Sequence, residues 1–228
     1  MSAIPLARRH LTGKSLLKVE LEVVHEWVAL WRRRLMDIGG YMRCLNESIA
    51  RQANEEGQCS GRFWEGRFKS QALLDGKALA ACLAHVELNP IRAGMTETPE
   101  TSEHTSVQQR IRVVLAAAPE QPTHLMPFAG NPREEMPKGL PFRLENYLEP
   151  VDWTGRILRE DKRGAIPAQL PPILVRLQID PRCWLYMTRH FESRFKGLVG
   201  AAYILKTACE TLGYRRTPNL SVCREMLS

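Results

Sequence analysis

The apolar residues near the start of the chain recur every three or four positions, which is the spacing of one face of an α-helix. A first stripe contains Leu17, Leu21, Val24, Val28, Trp31 and Leu35. A second stripe contains Ile38, Met42, Leu45, Ile49 and Ala53. The pattern predicts two amphipathic helices, and Gly57 is a suitable C-cap for the second.

Residues 60–74, SGRFWEGRFKSQALL, break this pattern. Aromatic and basic residues are interspersed there, and Gly61 and Gly66 disfavour a helix. The segment therefore predicts an irregular strand or a tight hairpin.

A further helix is predicted over residues 77–88, with Asp75 at its N-cap. Asn89-Pro90 ends this helix, because proline disfavours a helical residue before it. His85 and Asn89 fall one turn apart on one face. The predicted buried stripe lies on another face and consists of Leu79, Cys82, Leu83 and Val86.

The rest of the chain predicts helices separated by a linker. A helix is predicted over 106–118, and residues 119–141 are rich in proline and glycine, as linkers are. Later helices are predicted over 152–160, 171–178, 183–191 and 198–212. The chain is thus divided into a first domain over 1–118, the linker, and a helical C-terminal region over 142–228.

The composition is that of a folded, basic protein. The 228 residues include 32 lysines and arginines against 25 acidic residues, a net charge of +7. This charge is compatible with a nucleic-acid partner, although short cationic runs also occur on solvated helix faces. No stretch has the length and apolar character of a membrane span or a signal peptide, so we expect a cytoplasmic protein without membrane contact.

The six cysteines form no CxxC pair, and no histidine stands at zinc-ligand spacing from one. We therefore predict no metal site, and unpaired thiols agree with a reducing compartment. The C-terminal region also combines cations with aromatic residues: Arg182, Arg189, Arg194 and Lys196 surround Trp184 and Tyr186. That pattern fits a helical DNA-binding extension and fits a solvated helix surface equally well.

Two strings of residues carry a resemblance to a known family. RFWEGRFKSQALL, followed closely by CLAHVELNPIRAG, resembles the tyrosine transposases of the IS200-like and REP-associated families over residues 36–111. The resemblance implies a small antiparallel sheet with helices packed on it. It also implies cleavage and joining of single-stranded DNA by a tyrosine on the second string, assisted by Mg²⁺ or Mn²⁺ held by a His-x-His pair.

The sequence departs from the family pattern at both catalytic elements. His85 occupies the position of the tyrosine, with Asn89 one turn later, and no His-x-His occurs anywhere in the chain. The chain therefore resembles an N-terminally truncated, inactive copy, for which we expect no catalytic residue, no metal and no cofactor. His85 is then a drifted residue or a cation at a helix end; a working histidine nucleophile is the less favoured interpretation.

A chain that has lost the residues for cleavage can still bind DNA. Arg62, Arg67, Lys69 and Arg92 are candidate phosphate contacts, and Trp64 is a candidate for stacking on unpaired bases. Arg92 is equally suited to capping helix carbonyls.

The sequence therefore predicts a predominantly helical α+β protein, with a remnant of the antiparallel sheet, that binds single-stranded or hairpin DNA and can form a homodimer. Two alternatives remain open. One is half of a split transposase, and the other is a helical protein that dimerises with intact transposases and damps them.

Overall fold

The computed structural model describes residues 3–116, 121–130, 138–159, 174–175 and 177–227. These ranges contain ten α-helices and two short strands, which confirms the predicted helical α+β class. The helices are α1 (Ala3–Leu11), α2 (Lys18–Met36), α3 (Ile38–Glu56), α4 (Gly76–Glu87), α5 (Asn89–Arg92), α6 (Ser106–Leu115), α7 (Leu144–Arg159), α8 (Pro181–Arg194), α9 (Ala202–Thr211) and α10 (Leu220–Met226). The strands are β1 (Gln71–Leu73) and β2 (Gly197–Val199), and a 3-10 helix covers Pro99–Thr101. None of the helices in these ranges combines the length and apolar character that a membrane crossing requires.

The chain divides into two compact units, Met1–Lys69 and Ser70–Ser228. The first unit contains α1 to α3, and the second contains all later elements. The segment predicted as a linker, 119–141, lies within the second unit. Phe128, in its described part, is buried in the core of that unit.

The first unit has little buried surface. Among its residues whose burial is described, only Leu6 of α1 and Val24 of α2 are buried. An ion pair of 2.9 Å between Arg9 and Glu20 joins α1 to α2. The two predicted amphipathic helices occur as α2 and α3, so that prediction is confirmed although most of their apolar residues stay partly exposed.

Single residues delimit α3 at its two ends. Asp37 separates α2 from α3, and its carboxylate accepts the backbone N–H of Gly40 at 2.7 Å. Gly57 is the C-cap, as predicted, and its N–H donates to the carbonyl oxygen of Ala53 at 2.9 Å.

The second unit is built around α4, which packs along α8. The buried face of α4 consists of Ala78, Ala80, Ala81, Ala84, Glu87 and, just past its end, Leu88. The stripe predicted from the larger residues is wrong, since Val86 is 62% exposed and Leu79, Cys82 and Leu83 are only partly buried. Alanine lets two helix backbones approach closely, and Trp184, Met187 and Phe191 of α8 supply the volume that alanine lacks.

The sheet differs from the expected remnant. β1 and β2 pair in parallel, with Gln71, Ala72 and Leu73 opposite Gly197, Leu198 and Val199. The antiparallel arrangement implied by the resemblance is therefore wrong for the described strands. A parallel pair requires a long crossover, and α4 to α8 provide it.

Asp75 fastens this sheet to two helices. One carboxylate oxygen accepts the N–H of Ala78 at 2.8 Å, which confirms the predicted N-cap of α4. The other accepts the N–H of Ala201 just before α9. One side chain therefore caps α4 and ties the end of β1 to the end of β2.

Several predicted elements have other boundaries. Residues 60–74 do not form a hairpin. Residues 60–70 lie in no helix or strand, and 71–73 form the single strand β1. The helix expected over 198–212 begins only at Ala202, because β2 occupies its first residues. The helix expected over 152–160 begins earlier, at Leu144, and the one over 183–191 is part of α8. Half of the helix expected over 171–178 lies outside the described ranges, and 174–175 are helical.

Candidate functional site

Residues 61–69 of the first unit, called here the basic-aromatic segment, are held against α3 by specific contacts. The indole Nε1 of Trp64 donates to the backbone carbonyl of Asn46 at 2.9 Å. The side-chain amide of Asn54 donates to the carbonyl of Gly61 at 3.1 Å. Gly61 has a φ of 131°, a conformation that favours glycine. The segment is irregular, and two hydrogen bonds to α3 fix its N-terminal part.

The aromatic side chains of this segment remain open to solvent. Phe63 and Trp64 are 45% and 39% exposed. Their rings meet edge to face, with centroids 4.8 Å apart and an angle of 87° between the planes. This perpendicular pair forms a corner whose outer faces can contact a flat apolar group such as a nucleobase.

The cations of the segment have no partner among the described residues. Arg62, Arg67 and Lys69 are exposed, and their side chains make no hydrogen bond, ion pair or ring contact within the described ranges. Their charges are therefore available to an external anion. The segment thus brings together Arg62, Trp64, Arg67 and Lys69, four of the residues predicted to bind nucleic acid.

His85 belongs to a different cluster, in the second unit, where it joins α4 to α8. Its Nδ1 atom lies 2.8 Å from the backbone carbonyl oxygen of Thr188 and 2.7 Å from Nη1 of Arg92. Arg92 Nη1 also donates to that carbonyl. The backbone of α8 departs from helical geometry at His190, with φ −121° and ψ 16°, close to the carbonyl that both side chains approach.

The surroundings of His85 favour its neutral form. Burial lowers the pKa of His85, and the nearby Arg92 guanidinium lowers it further, against the opposing effect of the Thr188 carbonyl. The interpretation of His85 as a helix-end cation is therefore disfavoured. Both ring nitrogens face protein groups, because Nε2 lies 3.4 Å from Nη2 of Arg92.

Arg92 is engaged on both of its terminal nitrogens. Nη1 contacts the Thr188 carbonyl, and Nη2 donates to the side-chain oxygen of Asn89 at 2.9 Å. Burial lowers the pKa of Arg92. Of its two predicted roles, satisfying a helix carbonyl is the one observed, and the carbonyl belongs to α8.

Trp184 and Tyr186 in the C-terminal region differ in how deeply they are buried. Trp184 is fully buried, and its Nε1 donates to Oγ1 of Thr154 at 2.8 Å, so it is a core residue. Tyr186 is partly buried and has Arg194 over its ring at 5.5 Å. Trp184 therefore cannot stack on a nucleobase, as an aromatic residue of a DNA-binding extension would.

A buried polar group was missed by sequence reasoning. The Oε1 atom of Glu87 accepts a hydrogen bond of 2.5 Å from the Ser106 hydroxyl, and burial raises the pKa of Glu87. Arg110 of α6 donates to the carbonyl of Met126 at 3.0 Å and lies over the Phe128 ring at 4.6 Å. The helical spacing of Ala80, Ala84 and Glu87 already placed this carboxyl on the alanine face.

Metal chemistry finds no support in the described ranges. They contain no group of three or more histidine, cysteine or acidic side chains that could hold an ion. All six cysteines are free thiols, and Cys209 and Cys223 are buried.

Comparison with known proteins returned no match to any family model, curated protein or solved structure. The resemblance to tyrosine transposases therefore rests on the two strings of residues alone. In the structure the first string forms the basic-aromatic segment and β1, and the second forms the end of α4 and α5.

Proposed function

We propose that this chain is a transposase-related nucleic-acid-binding protein that does not cleave DNA. The observation that carries the proposal is the basic-aromatic segment, where three exposed cations without a described partner flank two half-exposed aromatic rings. Phosphate neutralisation by lysine and arginine supplies most of the affinity in such surfaces, and aromatic rings add base stacking. The partner is single-stranded or hairpin DNA, and the location is the cytoplasm.

The absence of cleavage is supported by the position of His85. A nucleophile needs a free lone pair aimed at phosphorus, and both ring nitrogens of His85 lie against Thr188 or Arg92. The sequence also lacks the His-x-His pair that, by the resemblance, would hold an ion to offset the charge that develops on the phosphate. A split transposase is disfavoured on the same ground, since a second polypeptide that supplied the metal pair would leave this chain without the tyrosine.

A binding assay and a cleavage assay test the proposal together. A fluorescently labelled hairpin oligonucleotide with a single-stranded flank is titrated with the full chain. We expect salt-sensitive binding that the double substitution Arg67→Ala with Lys69→Ala weakens about tenfold or more. The same oligonucleotide incubated with magnesium or manganese should yield neither product nor a covalent protein–DNA band. Unchanged affinity in the double variant removes the proposed surface, and a covalent band overturns the loss of cleavage.

The interaction-protein alternative is favoured by one specific observation. The helices of the first unit expose a large number of apolar side chains, among them Trp27, Trp31 and Leu45. An exposed apolar surface of this kind marks a protein–protein contact more often than a nucleic-acid contact.

A further inference from the structure

Helix α3 has an apolar face that the first unit covers only in part. None of its 19 residues is fully buried. Ile38, Tyr41, Leu45 and Ile49, called here the α3 stripe, are 59%, 49%, 40% and 39% exposed. Their spacing places them on one side of the helix. Most of the stability of a helix in a protein comes from packing of its apolar side, and this side of α3 is the less covered one.

Between Ile38 and Gln52 the face of the α3 stripe carries no charge, and Glu56 is the charged residue at its C-terminal end. The charged residues in the middle of the helix, Arg43, Glu47 and Arg51, fall on the opposite side, where Glu47 and Arg51 pair with each other. Ser48 and Gln52 border the stripe and are uncharged. Two such faces can meet without like-charge repulsion, even though the whole chain is basic.

The spacing of the stripe together with the bordering Gln52 is the same in both directions, although the residue types differ. Ile38, Tyr41, Leu45, Ile49 and Gln52 follow one another at steps of three, four, four and three residues. Two antiparallel copies of α3 that cross at Leu45 therefore place Leu45 against Leu45 and Tyr41 against Ile49. A twofold interface requires such reciprocal pairing, because each contact occurs twice and only the residue on the axis meets its own copy. At the ends of the stripe the same register places Ile38 opposite Gln52.

The ends of the helix add charge complementarity. Glu55 and Glu56 close α3, while Arg33 and Arg34 of α2 stand just before its start. Antiparallel pairing brings the two glutamates of one copy to the end where the second copy has its arginines. Carboxylates at that end are also favoured by the partial positive charge of a helix N-terminus.

We propose that α3 is the interface of a twofold-symmetric dimer of this chain, with Leu45 on the symmetry axis. With about 200 Å² for each fully exposed side chain of this size, the four stripe residues retain on the order of 400 Å² per copy. The pair then buries roughly 800 Å² from the stripe, which is below the range of stable interfaces and corresponds to a weak dimer. The dimer is accordingly reversible and dissociates on dilution.

The dimer also doubles the candidate DNA contacts. The basic-aromatic segment is bonded to α3 through Asn46, the residue after Leu45. Pairing at Leu45 therefore holds two such segments on one particle, which raises apparent affinity for a nucleic acid long enough to reach both. Dimer formation through α3 does not require DNA, so it can be tested separately from the proposed DNA binding.

Sedimentation velocity of the full chain without nucleic acid tests the interface. Over about 1 to 50 µM the mean mass should rise from the monomer value of 26.0 kDa toward twice that value. Leu45→Glu buries two carboxylates against each other and should weaken the dimer at least about 100-fold. Arg43→Glu makes a larger charge change on the opposite face and should leave the dimer intact. Circular dichroism verifies that both variants keep their helix content.

A mixing experiment tests the symmetry axis. The Leu45→Glu chain and the Leu45→Lys chain should each be monomeric, because like charges meet at the axis. Mixed in equal amounts they should form a dimer, because opposite charges then meet there. A wild-type chain that stays monomeric, a larger open-ended assembly, equal effects of Leu45→Glu and Arg43→Glu, or two variants that fail to recombine would each overturn the proposal.

Discussion

The Nδ1 atom of His85 lies 2.8 Å from the backbone carbonyl oxygen of Thr188 and thereby joins α4 to α8 across 103 positions of the chain. Arg92 reaches the same carbonyl from α5. The residue at the centre of the transposase-like string therefore has a packing role in the second unit, beside the closely packed alanine face of α4. This contact accounts for a histidine at that position without any catalytic task.

The neutral state of His85 makes the second unit sensitive to acid. The pKa of His85 is below its ordinary value of 6.5, so the unfolded chain binds this proton at a higher pH than the folded chain does. The contribution of His85 to stability is complete above about pH 6.5 and is lost as the pH falls through the lowered pKa. His85→Gln should flatten the dependence of the unfolding free energy on pH in this range.

Denaturant unfolding at several pH values measures that slope. His104→Asn is the matched control, since His104 is exposed and has a left-handed φ of 62° that asparagine tolerates. Equal slopes for wild type and His85→Gln would contradict the assignment.

Glu87 should have the opposite dependence on pH. Burial raises the pKa of Glu87 above the ordinary value of 4.5, so the folded chain holds this proton more tightly than the unfolded chain does. The stability that the protonated Glu87 contributes is complete below about pH 4.5 and is lost as the pH rises through the raised pKa. Glu87→Gln keeps an acceptor for the Ser106 hydroxyl and removes the buried charge. We expect it to increase the free energy of unfolding at pH 8 by about 1 kcal/mol.

The same denaturant titration at pH 5 and pH 8 tests this expectation. The difference between Glu87→Gln and wild type should grow with pH, whereas the exposed Glu103→Gln should show no such trend. A Glu87→Gln variant that is less stable than wild type at pH 8 would mean that the carboxylate is needed in its ionised form.

The elements that local patterns specify were predictable from the sequence. The apolar spacing in α2 and α3, the cap at Asp75 and the stop at Asn89-Pro90 all depend on neighbours within a few residues. The structure has the two helices and the cap where the pattern predicts them. The stop falls at Leu88, and Asn89 and Pro90 are the first residues of α5, so the expectation of a non-helical residue before the proline is wrong.

The features that were missed depend on distant partners. β2 has three residues, and its pairing with β1 spans more than a hundred positions, so its first residues were assigned to a helix. Side-chain size predicts that the larger residues of α4 are buried. Close approach to α8 favours small residues instead, so the alanine face is the buried one. The Thr188 carbonyl belongs to the backbone, which every residue has, so no sequence pattern predicts its contact with His85.

The close packing of α4 on α8 predicts intolerance of larger side chains. Ala84 is fully buried on the packed alanine face of α4. Ala84→Leu should therefore lower the free energy of unfolding by about 1–3 kcal/mol, because the added atoms have no space. Val86→Leu, on the exposed face of the same helix, should change it by less than about 0.5 kcal/mol. Thermal denaturation of both variants measures the contrast, and equal effects would contradict the packing described here.

Two tryptophans should respond differently to the same substitution. Trp184→Phe removes a buried indole and its hydrogen bond to Thr154, at a cost of about 2–3 kcal/mol in unfolding free energy. Trp64→Phe removes an indole at the surface and should change stability by less than about 1 kcal/mol. It keeps an aromatic face, so DNA affinity should fall less with Trp64→Phe than with Trp64→Ala. Affinity unaffected by Trp64→Ala would remove the stacking role of this residue.

The salt dependence of DNA binding tests the central claim most directly. The logarithm of the association constant for a single-stranded oligonucleotide is measured against the logarithm of salt concentration. The triple substitution of Arg62, Arg67 and Lys69 by alanine should make this slope shallower by about 2, since each single-strand phosphate contact contributes about 0.7. Replacement of Lys206, Arg215 and Arg216, three exposed cations of the second unit, by alanine is the matched control and should leave the slope unchanged. Equal slopes for the wild-type chain and the first triple variant would contradict the account.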